Sequence, residues 1–147
     1  MTASAIELVF PAHARYLSLA RLGLAGVAPV ARLDATELAD LKLAVTEACA
    51  NAVRHAYPSG DGGDVRVTIE VARDAVVVEI ADSGRGIEAD ELADWDPDEL
   101  HEEGMGLAII RSVMDEVEIA APIGGGTVVR LVKRVGTQAF PRPAFPG

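Results

Sequence analysis

The sequence predicts an α+β fold: a two-layer α/β sandwich in which one mixed, mostly antiparallel sheet carries helices on one face. Three observations lead to this prediction. Two helical patterns follow the first strand-like segment, two neighbouring β-branched segments form a hairpin, and a glycine-opened helix precedes two more strands. Because 147 residues suit one domain, we expect a folded domain at residues 1–134 and a mobile, proline-containing tail at residues 135–147.

The first half of the chain reads as one strand followed by two helices. A short strand is predicted at residues 5–10, and Pro11 suits the start of a helix whose end is predicted at Pro29. Asp34 can cap the second helix, and Glu37 three residues later completes a capping box. The helical period then continues until the next proline stops it.

The second half reads as a hairpin, a long connection, a helix and two strands. Residues 65–72 and 75–82 alternate or run apolar with β-branched side chains, and Arg73 and Asp74 separate them. A helix opened by glycines then leads into two further strands, the last of which covers residues 127–134. This order of elements is the basis of the predicted sandwich.

The net charge of −10 belongs to one segment of the chain. Residues 88–103 hold nine acidic residues and no lysine or arginine, whereas the rest has fourteen acidic and thirteen basic residues. This distribution argues against a nucleic acid partner, because phosphate contacts need clustered lysine and arginine. Three interpretations of the segment stay open: a solvated loop, a lid that points away from bound phosphate, or a surface that meets basic residues of a partner.

Cys49 is the single cysteine. It cannot form an internal disulfide, which favours a reducing compartment, and its apolar helical setting predicts a small buried residue rather than a nucleophile. The first residues lack a basic segment followed by an apolar run, and no stretch approaches ~18 apolar residues. We therefore expect a cytoplasmic protein without a signal peptide or a membrane span.

Glu47, Asn51 and His55 recur every four residues along the second predicted helix, so they share one of its faces. A solvated helix edge is one interpretation, but asparagine is a poor helix-interior residue unless it has a task. In a functional row, Glu47 can orient or deprotonate a hydroxyl or water. Asn51 can offer its amide oxygen to Mg²⁺, which prefers oxygen ligands. His55 suits a structural hydrogen bond better than a second base.

The segment "DSGRGI" begins at Asp82, directly after a predicted strand. Gly84 and Gly86 predict either a plain turn with positive φ or a backbone that approaches a ligand closely. In the second case, Asp82 can accept a hydrogen bond from an exocyclic amine such as that of adenine. Ile87 can then pack on the base.

Two further glycine segments carry weaker signals. Gly104 and Gly106 open the helix "GMGLAII", whose first N–H groups attract phosphate, although a flexible helix entry explains the same pattern. In "GGGT", either a plain β-turn precedes the last strand or the hydroxyl of Thr127 reaches into a pocket. The chain lacks the G-x-x-x-x-G-K-[ST] P-loop, and its glycine pair does not follow a strand as a dinucleotide-binding fingerprint must.

In their order and spacing, these motifs resemble the ATP-binding domain shared by gyrase-type ATPases, Hsp90, histidine kinases and MutL. Glu47 and Asn51 resemble its N box. Asp82 and the two glycines after it resemble its first glycine box, and the run from Gly104 to Leu107 resembles its second. Thr127 resembles the late threonine of that domain.

The closer resemblance is to the anti-sigma-factor serine/threonine kinases of the RsbW type, over residues 5–134. It rests on "PAHARYLSLARLGLAGVA", "LKLAVTEACANAVRHAY" and "SVMDEVEI". The resemblance implies a Bergerat ATP-binding fold with ATP and Mg²⁺ as cofactors. It also implies a STAS-domain anti-anti-sigma factor as the phosphorylated partner, a sequestered sigma factor, and a homodimer that contacts neither nucleic acid nor membrane.

The same resemblance implies a role for each matching residue. Glu47 would be the general base, Asn51 the Mg²⁺ ligand, and Asp82 the adenine-binding residue, assisted by Thr127. Further nucleotide-binding positions would be His55, Gly84, Gly86, Ile87, Gly104, Met105, Gly106 and Leu107. Arg15 and Arg21 lie on the first predicted helix, which resembles the family's sigma-binding surface, although ordinary surface arginines are the favoured explanation.

Three functions are compatible with these motifs. The first is a protein serine/threonine kinase that acts on a STAS-domain antagonist, and the presence of both Glu47 and Asn51 favours it. The second is a nucleotide-binding module that sequesters a partner and has little or no kinase activity. The third is a domain of a histidine kinase, which is disfavoured because no stretch resembles a helix with a phosphoacceptor histidine.

Overall fold

The computed structural model describes residues 4–56, 63–84 and 105–136, without the side chains of His55, Ala56 and Met105. The acidic segment 88–103 lies outside the described residues, as does all of the predicted tail beyond residue 136. The predicted division into a domain at residues 1–134 and a tail therefore stays a prediction.

The described strands form one five-stranded sheet in the order β1-β2-β3-β5-β4, and every neighbouring pair is antiparallel. This confirms the predicted α+β class, and the β-branched hairpin of the sequence is the pair β2–β3. The strands are β1 (Ser4–Pro11), β2 (Asp64–Val71), β3 (Ala75–Asp82), β4 (Glu116–Ala120) and β5 (Thr127–Arg134).

The helices of the described chain pack on one face of this sheet. They are α1 (Leu17–Ala31), α2 (Ala35–Asn51) and α3 (Met105–Val113), with a 3₁₀ turn at Ala14–Tyr16 before α1 and a π-helical turn at Ala52–Ala56 after α2. None of these helices combines the length and the apolar character that spanning a membrane requires.

The bounds of α1 differ from the prediction at both ends. The helix begins at Leu17 rather than at Pro11, because Pro11 is the last residue of β1 and pairs with Asp64. It continues through Pro29, since a proline in the last helical turn removes only one hydrogen bond. Arg32 then ends it in the left-handed conformation, with φ at 57°.

The start of α2 agrees with the prediction. The carboxylate of Asp34 accepts a hydrogen bond from the N–H of Glu37 at 2.7 Å, and the Glu37 carboxylate accepts one from the N–H of Asp34 at 2.9 Å. Each side chain thus satisfies a backbone donor that the first helical turn leaves open. The α-helical hydrogen bonding stops at Asn51, where the π-helical turn begins.

The core lies between the sheet and the helix layer. Alternate side chains of each strand point toward the helices, so each strand has one buried face. Fully buried large side chains come from β2, β3 and β5 and from all three helices: Val65, Val67, Ile69, Val76, Val78, Ile80, Leu131, Leu24, Leu41, Val45 and Ile110.

The opposite face of the sheet carries paired charges. Arg130 of β5 lies between Glu79 of β3 and Glu118 of β4, with N···O distances of 3.7 and 4.0 Å. Arg66 of β2 similarly approaches Glu7 of β1 at 3.8 Å. Such exposed cross-strand pairs contribute little to stability, but they keep this face polar.

Candidate active site

Two polar side chains of α2 converge on the first turn of α3. A Cβ atom built on Gly106 would lie 3.1 Å from the Oε2 atom of Glu47, 3.2 Å from Asn51 Nδ2 and 3.5 Å from Asn51 Oδ1. Residues four apart share one helix face, so α2 presents the carboxylate and the amide together. Two members of the predicted row, Glu47 and Asn51, therefore meet the predicted glycine of α3 at one point.

Glycine at position 106 is explained by this close approach. Gly106 is buried in the first turn of α3. The distances from a Cβ atom built on it to the Glu47 carboxylate and the Asn51 amide nitrogen are shorter than most real Cβ contacts. Any larger residue would displace the carboxylate or the amide. The first N–H groups of a helix have no intrahelical acceptor, so the side chains of Glu47 and Asn51 lie beside backbone donors suited to an anion.

Arg54 adds a positive charge to the α2 side of the site. Its Nη2 atom donates a hydrogen bond to Asn51 Oδ1 at 2.9 Å. Arg54 belongs to the π-helical turn, an element that is rare in proteins and common at functional sites. Sequence reasoning missed this residue, although its position three residues after Asn51 was the signal that could have found it.

A second set of residues lies where β3 and β5 end side by side. Asp82 pairs in register with Thr127, and the Asp82 carboxylate accepts hydrogen bonds from the backbone N–H groups of Gly84, at 3.0 Å, and of Thr127. Partial burial raises the pKa of Asp82, and these two hydrogen bonds act in the opposite direction. The carboxylate is thus fixed in position by backbone donors.

Gly126 makes this pairing possible. A Cβ atom on residue 126 would collide with the backbone carbonyl oxygen of Asp82, and the φ angle of 84° lies in the left-handed region that favours glycine. The residue therefore needs to be glycine for two independent reasons. Sequence reasoning treated "GGGT" as a turn and did not single out Gly126, because the close contact with β3 exists only in the folded chain.

Most of the predicted site residues within the described chain belong to these two sets. Leu107, which follows Gly106 in α3, packs against the core. Arg15 lies in the 3₁₀ turn, where its guanidinium contacts His13 and Tyr16, and Arg21 is exposed on α1. Predicted positions without a described side chain or outside the described residues are His55, Gly86, Ile87, Gly104 and Met105.

The π-helical turn follows α2 and packs against β3, the strand that ends at Asp82. The oxygen ligands that the described side chains offer are of a kind that suits a magnesium nucleotide. The amide oxygen of Asn51 already accepts a hydrogen bond from a cationic side chain. No group of three potential ligands among His, Cys, Asp and Glu occurs in the described residues. An amide oxygen together with phosphate oxygens and water is a ligand set that Mg²⁺ accepts, so the residues present are compatible with this ion.

Cys49 is not part of the chemistry of this site. The residue is fully buried in α2, and burial raises the pKa of its thiol to about 12. At neutral pH it is a neutral, small apolar residue, which agrees with the prediction from sequence.

Comparison with known proteins gives a consistent result. Residues 10–133 match the family model described as the histidine kinase-like ATPase domain. The chain is 38% identical over 142 residues to the serine-protein kinase RsbW of Bacillus pumilus (strain SAFR-032), covering 90% of this chain and 86% of that protein. It is 38% identical to RsbW of Bacillus subtilis (strain 168) over 122 residues, covering 78% of this chain and 76% of that protein.

Solved structures show the same fold. A crystal structure of the RsbU and RsbW domains of Rv1364c from Mycobacterium tuberculosis aligns with a TM-score of 0.66 at 22% identity, over 89% of this chain and 32% of that one. A blue-light activated histidine kinase of Erythrobacter litoralis aligns with a TM-score of 0.61 at 22% identity, over 85% of this chain and 42% of that one.

Proposed function

The chain belongs to the histidine kinase-like ATPase domain family, among the RsbW serine-protein kinases, and we propose that it phosphorylates a STAS-type anti-anti-sigma factor and sequesters a sigma factor. It is a protein serine/threonine kinase, and it uses ATP. The observation that carries the proposal is the convergence of Glu47 and Asn51 on Gly106. A carboxylate, an amide oxygen and helix N–H groups lie together there, which supports the roles proposed below.

The proposed binding mode divides the nucleotide between the two sets of residues. Asp82 accepts a hydrogen bond from the adenine amine, and Thr127, which is buried beside it, assists. Asn51 ligates Mg²⁺, which would neutralise phosphate charge when bound. Gly84 and Gly106 let the backbone approach the nucleotide, and the predicted positions outside the described residues would complete the site.

Glu47 is the proposed general base. Phosphoryl transfer needs little covalent participation from the protein, so most of the catalysis comes from positioning and from electrostatic stabilisation. Glu47 would orient the acceptor hydroxyl and accept its proton. The N–H groups at the start of α3 would stabilise charge on the phosphate oxygens.

The partner surfaces are proposed from exposed residues of α1 and the turn before it. Arg15 and Arg21 are both exposed, which is compatible with contacts to a sigma factor. We also propose a homodimer, in support of which Leu19, Leu22 and Val30 of α1 are large apolar side chains that remain exposed in the single chain. The lone buried thiol of Cys49 is compatible with the proposed cytoplasmic location.

Replacement of Glu47 by glutamine tests the proposal. The Glu47→Gln variant is expected to bind ATP normally and to phosphorylate the STAS-domain partner about 10²–10⁴-fold more slowly, the usual contribution of a general base. The measurement is transfer of label from ATP to a co-purified STAS protein, followed by mapping of the modified serine or threonine. Nucleotide affinity is measured on the same preparations.

Each outcome of this experiment has a distinct meaning. Undiminished transfer by Glu47→Gln would refute the role of the carboxylate. Nucleotide binding by the unmodified chain with no label on any STAS partner would instead favour the sequestering module without kinase activity. The Lys42→Gln variant, altered on the same helix away from the site, serves as the control and is expected to transfer label normally.

A further inference from the structure

Lys133 connects three elements that are distant in the sequence. From β5, its Nζ atom donates a hydrogen bond to Asp40 Oδ2 on α2 at 3.0 Å and another to the backbone carbonyl oxygen of Val113 on α3 at 2.8 Å. The side chain of Lys133 is only 14% exposed, and that of Asp40 is 27% exposed. A lysine this buried needs its charge to be paired, and here it is.

The two partners of Lys133 belong to the helices that build the proposed phosphate end of the site. Val113 is the last residue of α3, and Gly106 lies in the first turn of the same helix. The C-terminal end of α3 is held near Asp40, while its N-terminal end meets Glu47 and Asn51. The helices α2 and α3 therefore run antiparallel, in contact at both ends of α3.

The residues of α2 that meet α3 share one face. Asp40 and Glu47 are seven residues apart, almost two full helical turns, and Asn51 is four residues further along. Between them on this face lies Ala44, which is fully buried. Two packed helices are fixed relative to each other along their axes by side chains of one helix that fit into grooves of the other. An alanine has too small a side chain to contribute much to this fit.

Polar contacts at the C-terminal end of α3 help to fix the position of this helix along the axis of α2. The carbonyl of Val113 is one of the last helical acceptors without an intrahelical donor, and a lysine at a helix C-terminus also interacts favourably with the helix dipole. The second residue after the helix end is held too: the N–H of Asp115 donates to the Val132 carbonyl at 3.0 Å, and the Asp115 carboxylate accepts from the Arg134 N–H at 2.6 Å.

We propose that Lys133 is a positioning residue for nucleotide binding: its contacts with Asp40 and Val113 fix α3 along the axis of α2 and so hold Gly106 against Glu47 and Asn51. The inference rests on the proposed function in one respect, namely that Glu47 and Asn51 face the nucleotide. Because the backbone of Gly106 lies close to both side chains, with no room for a side chain between them, a small axial displacement of α3 changes the geometry of the carboxylate, the amide and the first helical N–H groups together.

The test is the affinity for ADP with Mg²⁺, measured by calorimetry on the full chain. ADP is chosen because it cannot donate a γ-phosphoryl group. Lys133→Met keeps an unbranched side chain that lacks only the terminal ammonium group, and it removes both hydrogen bonds. We expect ADP affinity to fall about 10-fold, the effect of a displacement small enough to leave the fold intact. Amide hydrogen exchange at Ile109 and Ile110, whose helical hydrogen bonds go to the carbonyls of the first turn of α3, is expected to become faster.

Two variants separate positioning from general stabilisation. Lys133→Arg retains a donor for both partners and is expected to bind ADP within about 3-fold of the unmodified chain. Arg130→Met removes an exposed ion-pair partner from the same strand and is expected to leave ADP affinity unchanged. If Lys133→Met lowers the melting temperature and yet binds ADP as tightly as Arg130→Met does, the proposal is overturned.

Asp40→Asn provides the second test, in case Lys133→Met does not fold. It removes the ion pair and keeps both an acceptor at position 40 and the bond to the Val113 carbonyl, so a smaller loss of ADP affinity, about 3-fold, is expected. An unchanged ADP affinity and unchanged exchange at Ile109 and Ile110 in this folded variant would also overturn the proposal. Because no phosphorylated partner enters the measurement, failure of the kinase proposal would be recognised separately, in the label-transfer experiment.

Discussion

Gly106 shows how one missing side chain shapes the site. Its backbone lies so close to Glu47 and Asn51 that the two polar groups of α2 and the first turn of α3 form one surface. The sequence motif predicted that this glycine would let the backbone approach a ligand. In the structure it also lets α3 approach α2, so the same residue serves the packing of the helices and the proposed binding of phosphate.

Gly106→Ala is expected to weaken ATP binding by about 10-fold while the protein stays folded. The new methyl group must displace Glu47 Oε2 or the Asn51 amide by a few tenths of an ångström, whereas alanine favours the helical conformation over glycine. The measurements are ATP affinity and the free energy of unfolding. Gly26→Ala is the control, because a Cβ atom at this helical position meets nothing within 4 Å. It is expected to leave ATP affinity unchanged, and an equal loss in both variants would contradict the explanation.

Asp82→Asn is expected to reduce ATP affinity about 10- to 100-fold, the effect of losing a hydrogen bond to a charged acceptor.

The same variant should also differ from the wild type in the way its free energy of unfolding changes with pH. Because the pKa of Asp82 is raised in the folded protein, the wild type loses stability as pH rises from the ordinary carboxyl pKa through the folded pKa. The asparagine variant lacks this loss. Its stability relative to wild type should therefore increase across that interval and stay constant above it.

Urea denaturation at several pH values measures the second effect. Asp74→Asn, at the exposed β2–β3 turn, serves as the matched carboxylate control and should show no change in ATP affinity. A variant of Asp82 that binds ATP normally would remove this residue from the proposed site.

At the scale of elements, the sequence correctly predicted the features that depend on residues close together in the chain. The capping box of Asp34 and Glu37 involves residues three apart, and it forms as predicted. The limits of α1 depended on tertiary structure instead: pairing of Pro11 with Asp64 in the sheet keeps the chain extended beyond the predicted helix start. Likewise, Arg54 and Gly126 were missed because their contacts depend on a π-helical turn and on a strand distant in sequence.

Asp34→Ala is expected to lower the free energy of unfolding by about 1 kcal/mol, within the ~0.5–2 kcal/mol range of lost helix caps. The change removes the acceptor for the Glu37 N–H at the start of α2. The urea midpoint measures it, with Thr36→Ala as the control in the same helical turn. Thr36 is exposed and lies after the cap, and alanine has the higher helix propensity, so this variant is expected to lose no stability; a loss of comparable size would contradict the assignment of the effect to the cap.

At the scale of the whole molecule, the core between the five strands and three helices of the described residues supports the site. The central strands β3 and β5 each have buried side chains along their length, and the residues at their adjoining ends, Asp82 and Thr127, are held in place by this packing. Binary patterning of the strands predicted this layer arrangement from the sequence. It could not predict the order β1-β2-β3-β5-β4, which depends on how the connections return to the sheet.

Leu131→Ala is expected to destabilise the chain by about 2–5 kcal/mol, because it opens a cavity beneath the central sheet. Leu131 is fully buried on β5. Ile123→Ala, at the exposed tip of the β4–β5 turn, is the control and should change the free energy of unfolding by less than about 0.5 kcal/mol. Similar changes in the two variants, measured by thermal or urea unfolding, would mean that the sheet is not packed as described.

The meeting of Asp40, Val113 and Lys133 has a consequence for recombining this chain with its relatives. A chimaera that takes α2 from one parent and β5 from another receives one member of this ion pair from each parent. The pair can then be lost although every segment is intact. Crossovers placed inside the β2–β3 hairpin separate the first of these residues from the other two. Libraries that exchange only β1 and α1, and keep everything from Ala35 onward from one parent, would retain this junction and should yield a larger fraction of nucleotide-binding hybrids.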